Sequence, residues 1–332
     1  MKIATIGTGF IVDTFMEACS HVDGVEVKAV FSRTKERAHE FASQYHIEKI
    51  YTNLDTMLAD ETIDTIYVAS PNSLHYSYTL KALSAKKNVI CEKPFTSTLK
   101  ELEELISLAK KNQVFLWEAI TNIYTPNLNI VKDNLKEVGQ IRLVTCNFSQ
   151  YSSRYAAFQR GENPNVFNPA FSGGAIMDIN LYNIHLCMYL FGKPEQFFYY
   201  PNKAENGIDT SGVIIFQYPD FVATLIGAKD SASEDYVVIQ GDEGTLRIDG
   251  GSTGVCANVT LSKTISKTEQ QEKNIGVHQI SHMSYELQAF ESMLQQQDFS
   301  TCHELLDYSK EVLSVIETAR KNAGIYFNAD TK

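Results

Sequence analysis

Basic residues are the scarce charge in this chain. Lys and Arg number 29 against 40 Asp and Glu in 332 residues, a formal net charge of -11 with a pI near 5.2. That balance argues against nucleic acid or an anionic membrane as the main partner, because neutralising phosphates needs clustered cations. A small molecule is the expected partner. No unbroken apolar stretch reaches ~18 residues, the length at which a helix spans a bilayer. The N-terminal MKIATIGTGF has no basic segment leading into a long apolar run and no small-residue cleavage site, so a soluble cytoplasmic protein is expected. Six cysteines, at 19, 91, 146, 187, 256 and 302, include no CxxC pair, which fits reduced thiols better than a disulfide frame or a zinc site. No metal is expected. Internal repeats, low-complexity tracts and Pro/Gly linkers are also missing. At 44% apolar composition the chain can bury a large core, and its length lies near the size at which single cores divide, so two domains are expected.

The first third alternates apolar runs with helical periodicity. Strands are expected at 2–7, 25–31, 64–70, 88–93 and 114–119, with helices near 10–22, 34–46, 74–87 and 98–112. Such alternation implies βαβ units, right-handed crossovers and a doubly wound parallel sheet. Thr98-Leu-Lys-Glu101 and Thr301-Cys-His-Glu304 read as capping boxes. Past about residue 140 the strands become longer, alternating and aromatic, with turns at Tyr218-Pro-Asp-Phe221 and Asp242-Glu-Gly244 that favour antiparallel neighbours. Two helices, about 279–296 and 302–322, close the chain. The texture change sets domain boundaries of 1–120 and 121–332.

Gly7-Thr8-Gly9 follows the first strand and opens the first helix, the context a dinucleotide fingerprint requires. Gly7 makes the tight turn and Gly9 lets the backbone approach a pyrophosphate; Val12 stands where a third glycine would be. The second strand ends in Phe31-Ser32-Arg33, with Arg37 one turn later and no acid to hold a ribose 2'-hydroxyl. Arginines there suit a 2'-phosphate, so NADP(H) is favoured, with NAD(H) possible.

The run Val89-Ile-Cys91 breaks at Glu92-Lys93-Pro94, placing Lys93 at the carboxyl end of a buried strand, where open α/β sheets bind ligands. In GGAIMDINLYNIHLCMYLFG (173–192), Asp178, Tyr182, His185 and Tyr189 recur at helical spacing on an otherwise apolar helix ended by Gly192. Buried polar groups need partners or a purpose. The stripe alone leaves a structural and a catalytic role open. Lysine beside tyrosine tips the balance, because an ammonium lowers a phenol pKa of about 10 toward working pH.

These residues together resemble the glucose-fructose oxidoreductase and inositol dehydrogenase family, written Gfo/Idh/MocA. The resemblance runs through Gly7-Thr8-Gly9-Phe10-Ile11, Ser70-Pro71-Asn72 with His75, Glu92-Lys93-Pro94, and Gly173-Gly174-Ala175 leading to Asp178 and Tyr182. It implies an N-terminal Rossmann domain binding NAD(P), and a C-terminal α/β domain whose large, mainly antiparallel open sheet serves homo-oligomerisation as a dimer or tetramer. It also implies that Lys93 is catalytic, that Pro94 follows a cis bond, and that Asp178 and Tyr182 face the nicotinamide. Many polyol dehydrogenases of the family carry His where Tyr182 stands. The tyrosine, with Trp117-Glu118-Ala119, is similar to the branch containing dimeric dihydrodiol dehydrogenase and aldose dehydrogenases. Ser32 with Arg37 resembles NADPH-using members. Two positions depart from the family: Asn180 replaces a glycine and is expected to reshape the pocket, and Lys86 or Lys87 replaces a glycine ahead of the fifth strand.

The expected activity is reversible hydride transfer between a nicotinamide and a carbonyl or secondary alcohol of a sugar-like or small cyclic diol. Tyr182 exchanges the proton, Lys93 orients the oxygen, Asp178 binds a neighbouring hydroxyl, and His185 is a substrate contact or alternative proton carrier. The cofactor set comprises Gly7, Gly9, Phe10, Ile11, Ser32, Arg33, Arg37, Ser70, Pro71, Asn72, His75, Glu92 and Lys93. Rival readings are a glycosidase of the same fold working by transient oxidation, and a nucleotide-sensing regulator without turnover.

Overall fold

The computed structural model describes residues 1–266 and 269–331. The chain forms two compact units, Met1–Ala119 with Ser281–Lys310, and Ile120–Ile280 with Glu311–Lys332.

In the first unit β1 (Lys2–Ile6), α1 (Phe10–Cys19), β2 (Glu26–Phe31), α2 (Lys35–Tyr45), β3 (Lys49–Tyr51), α3 (Leu54–Leu58), β4 (Thr65–Val68), α4 (His75–Ser84), β5 (Asn88–Glu92), α5 (Leu99–Asn112) and β6 (Leu116–Ala119) alternate as expected. The six strands pair in the order β3-β2-β1-β4-β5-β6, all parallel. β4 is buried along its whole length, as both-face coverage by helices demands. Short β3 and α3 escaped the sequence reading, since three- and five-residue elements show too little periodicity. The Thr98 capping box forms with both reciprocal bonds. Lys86, one of the two lysines expected to stand in place of a glycine, adopts φ +58° between α4 and β5, the left-handed turn that glycine would enter without strain.

The second unit contains α6 (Pro126–Asp133), β7 (Ile141–Ser149), α7 (Tyr155–Gln159), a π-helical turn (Ile176–Asn180), α8 (Leu181–Phe191), β8 (Gln196–Lys203), β9 (Asp209–Gln217), β10 (Val222–Ala228), β11 (Tyr236–Gly241), β12 (Gly244–Asp249), β13 (Asn258–Ser266) and β14 (Glu269–Asn274). Its sheet runs β14-β13-β12-β11-β7-β10-β9-β8. All its pairs are antiparallel but one: β7 and β10 run parallel. Pleating sorts the faces. The register row Tyr199, Ile214, Leu225, Cys146, Val237, Ile248 and Val259 is buried throughout, while in the next row Phe198 is exposed and its neighbours half-exposed. The buried row is the core beneath α8; the other face of the sheet is open.

The expected C-terminal helices are α9 (His282–Gln296) and α10 (Phe299–Asn322). Residues 281–310, assigned from sequence to the second domain, cluster with the first. The reason is aromatic: Phe290 and Phe299 stack against Trp117 and Phe115 behind β6, at ring separations of 5.1 and 4.1 Å. The Thr301 capping box does not form. α10 starts two residues earlier, and Asp298 accepts from the Thr301 N–H at 3.0 Å, taking the capping role. All six cysteines are buried free thiols. Among the described residues no helix is long and apolar enough to cross a membrane.

Candidate functional site

The parallel sheet reverses its order of addition between β1 and β4, so a crevice opens at their carboxyl ends. Gly7 ends β1 at φ +125°, and a Cβ there would lie 2.4 Å from the Ala69 carbonyl oxygen. No other residue fits. Gly9, the N-cap of α1, faces open space, with nothing within 4 Å of an added Cβ, and no side chain caps the helix. An uncapped N-terminus behind an open glycine is a cradle that a pyrophosphate fits. Phe10 is 85% exposed beside it, Ile11 is half-buried, and Val12 is fully buried, so core packing takes the place of the third glycine.

At the end of β2, the Ser32 hydroxyl accepts from the Thr34 N–H. Arg33 and Arg37 are exposed and make no ion pair among the described residues. After β4 comes Ser70-Pro71-Asn72, all half-buried. His75 is 1% exposed, with one ring nitrogen 2.8 Å from the Ser70 carbonyl and the other 2.8 Å from the Pro94 carbonyl. It therefore clasps the loops that follow β4 and β5, and burial pushes its pKa down. The Lys93–Pro94 bond is cis.

Behind half-buried Lys93 lies a feature that sequence reasoning missed. Glu92 is buried, and its carboxylate accepts from the Tyr67 hydroxyl at 2.6 Å and from the Lys93 N–H at 3.2 Å. Tyr67 in turn stacks on Phe15 of α1 at 3.7 Å, joining the fingerprint helix to the lysine strand. Glu118 on β6 and Glu286 on α9 are also buried. Desolvation raises the pKa of all three carboxyls, that of Glu118 to about 7, and Glu92 repels both of the others. The available signal was an acid embedded in an apolar run, as in VFLWEA.

In the second unit, Gly173 and Gly174 start the polar helix. A Cβ on Gly174, at φ +110°, would lie 2.1 Å from Asp209 Oδ1. Buried Asp209 needs that approach, because its Oδ2 accepts from the Ile176 N–H and the Tyr199 hydroxyl, both at 2.6 Å. The expected continuous helix begins instead as the π-helical turn holding Asp178. π-bulges of this kind are frequent at functional sites. Asp178 is partly exposed and paired with buried Lys229, a residue that the sequence reading missed although it directly follows an apolar strand. Tyr182 is half-buried; its ring centroid lies 5.9 Å from that of Phe148, a Cβ on Gly254 would lie 3.0 Å from its edge, and its carbonyl accepts from Asn122 at 2.9 Å.

His185 is 2% exposed, and desolvation pushes its pKa down to about 3. Asn180 is fully buried against Gly227 of β10 and donates to the Leu225 carbonyl. Tyr189 reaches Asn129 rather than sharing a site with Asp178. The π turn offsets Asp178 from the α-helical row of Tyr182, His185 and Tyr189.

Residues 1–120 match an oxidoreductase family with an NAD-binding Rossmann fold, and residues 134–247 match a GFO/IDH/MocA C-terminal domain. The oxidoreductase YgjR of Escherichia coli is 37% identical over 331 residues, spanning 100% of this chain and 99% of its own. IolU of Bacillus subtilis, a scyllo-inositol 2-dehydrogenase (NADP(+)), is 34% identical over 99% of each chain. Among solved structures, a 3-ketoreductase from Actinomadura kijaniata in complex with NADP and TDP-benzene superposes with a TM-score of 0.85 at 20% identity, covering 97% of each chain. That likeness concerns the fold.

Proposed function

Because the chain belongs to the GFO/IDH/MocA oxidoreductases, we propose that it is an NADP(H)-preferring dehydrogenase/reductase acting on a carbonyl or secondary alcohol of a sugar-like or small cyclic polyol. The enzyme class and NAD(P) binding follow from the family; the cofactor preference and substrate class are the proposal. The observation that carries the preference is the end of β2, where Ser32 and exposed Arg33 stand in place of an acid, with exposed Arg37 in the first turn of α2. The NADP-dependent activity named for the Bacillus relative supports it.

The Gly7 turn, Gly9 and the N-terminus of α1 would hold the pyrophosphate, and Arg33 and Arg37 would hold the 2'-phosphate. When bound, the nicotinamide supplies or accepts the hydride. Tyr182 gives or takes the proton of the substrate oxygen, and Asp178 accepts from a neighbouring hydroxyl. Glu92, held by Tyr67, fixes the backbone from which Lys93 projects. The open sheet face, with Phe198 51% and Tyr200 62% exposed, suits a second copy of the chain.

Titration with NADPH and with NADH, read by nicotinamide fluorescence and by Trp117 emission, tests this. NADPH binds more tightly, and Arg33→Ala or Arg37→Ala weakens NADPH by about tenfold or more, the worth of a charge-assisted bond, while sparing NADH. Equal affinities would refute the preference; an absence of binding to either would refute the nucleotide reading. Tyr182→Phe then abolishes turnover without loss of cofactor affinity.

A further inference from the structure

Resting on that reading, we propose that Lys229 is the positioning residue for Asp178: it pairs with the carboxylate and aims it, making Asp178 a fixed acceptor for a substrate hydroxyl. The ammonium of Lys229 is paired with Asp178 Oδ2, the lysine side chain 7% exposed and that of Asp178 26%. The acid therefore meets the outside while the base stays behind it. Lys229 follows β10 directly, and its backbone is fixed from two sides: its N–H donates to Thr210 O at 2.8 Å, and its carbonyl accepts from the Ser152 N–H at 2.9 Å. Its Nζ lies 5.7 Å from the ring centroid of Phe167.

Two other acids stand nearby; each has hydrogen-bond donors of its own, and the Lys229 charge also acts on buried Asp209, but the ammonium pairs directly with Asp178. Asp209 Oδ2 receives Tyr199 and Ile176. Asp230 receives the hydroxyls of Thr210 and Ser211 at 2.7 and 2.8 Å. A purely structural cation would not need a partner seated in a π-helical turn one turn before Tyr182. An aspartate offered to a polyol does need an orienting cation, since a carboxylate free to rotate loses the geometry that discriminates hydroxylated substrates.

The test uses oxidation by NADP+ of myo-inositol, trans-1,2-cyclohexanediol and cyclohexanol, with NADPH affinity and thermal melts as controls on Lys229→Met, Lys229→Arg, Asp178→Asn and the Lys229→Met/Asp178→Asn pair. Wild type is expected to rank the probes by hydroxyl number. Lys229→Met raises KM for myo-inositol about tenfold or more and flattens the ranking with a smaller change in kcat. Lys229→Arg recovers most of the loss, and the double variant is no worse than Asp178→Asn alone. Should Lys229→Met unfold, the neutral double variant and the arginine variant carry the comparison. An unchanged KM and ranking in a folded Lys229→Met protein, or losses that multiply in the double variant, overturns the proposal. NADPH binding without any hydroxyl ranking in wild type also overturns it and leaves the oxidoreductase reading standing, whereas failed NADPH binding removes that reading itself.

Discussion

Replacing Glu118 by Gln should stabilise the first unit at alkaline pH and do little in acid. Glu118 is buried on β6; desolvation raises its pKa from 4.5 to about 7, opposed by hydrogen bonds from Ser309 and the Phe95 N–H and reinforced by Glu92. Between those two pH values the unfolded chain has released a proton that the folded chain retains, so the folded state binds more protons and stability falls as pH rises. Above the folded pKa the loss levels off, at roughly 3 kcal/mol for a shift of this size at 1.36 kcal/mol per pH unit. Gln keeps a carbonyl to accept from Ser309 and Phe95 but has no proton to lose. The variant is therefore expected to match wild type near pH 4 and to exceed it by about 2–3 kcal/mol near pH 8. Glu92 and Glu286 remain in both proteins, and because Glu118 repels them, its removal eases their ionisation and adds to the difference in the same direction. Urea melts followed through Trp117, the sole tryptophan and Glu118's neighbour in the same unit, isolate the relevant transition. A difference between variant and wild type that is the same at both pH values would refute the buried-proton argument; a difference favouring wild type near pH 8 would mean that the ionised carboxylate is satisfied.

The remaining expectations concern stability and assembly. Lys86→Gly relieves a left-handed φ of +58° and should raise the urea midpoint of the first unit by the equivalent of ~0.5–1 kcal/mol, whereas Lys86→Ala should not. Arg320 is fully buried, with both terminal nitrogens 2.7 Å from the Asp330 carboxylate, and Arg320→Met, which leaves that acid to Lys321 and the Phe327 N–H, should destabilise the second unit by about 2–3 kcal/mol in a thermal or urea melt. Phe198→Asp with Tyr200→Asp should convert an oligomer to monomer in sedimentation without altering NADPH affinity; a wild-type monomer at micromolar concentration would remove the assigned interface.

The alternation of apolar runs with capped helices determined the parallel sheet by itself, because a strand covered on both faces and a helix with one apolar stripe each leave a local pattern. The Gly7 turn and Lys93 were legible for the same reason: both are set by residues within a few positions of themselves. What the pattern could not carry was any contact between distant segments. Residues 281–310 read as the end of the second domain, yet their aromatic rings find Trp117 and Phe115 in the first unit. His185 looked like a member of the Asp178 stripe until the π turn and the packing around it put it in the core. Lys229 and Glu286 gain their significance from Asp178 and Glu92, which lie 51 and 194 positions away. Burial creates that significance: only inside the folded protein does a charge lose water and depend on the one partner brought within reach, and that partner is chosen by tertiary structure.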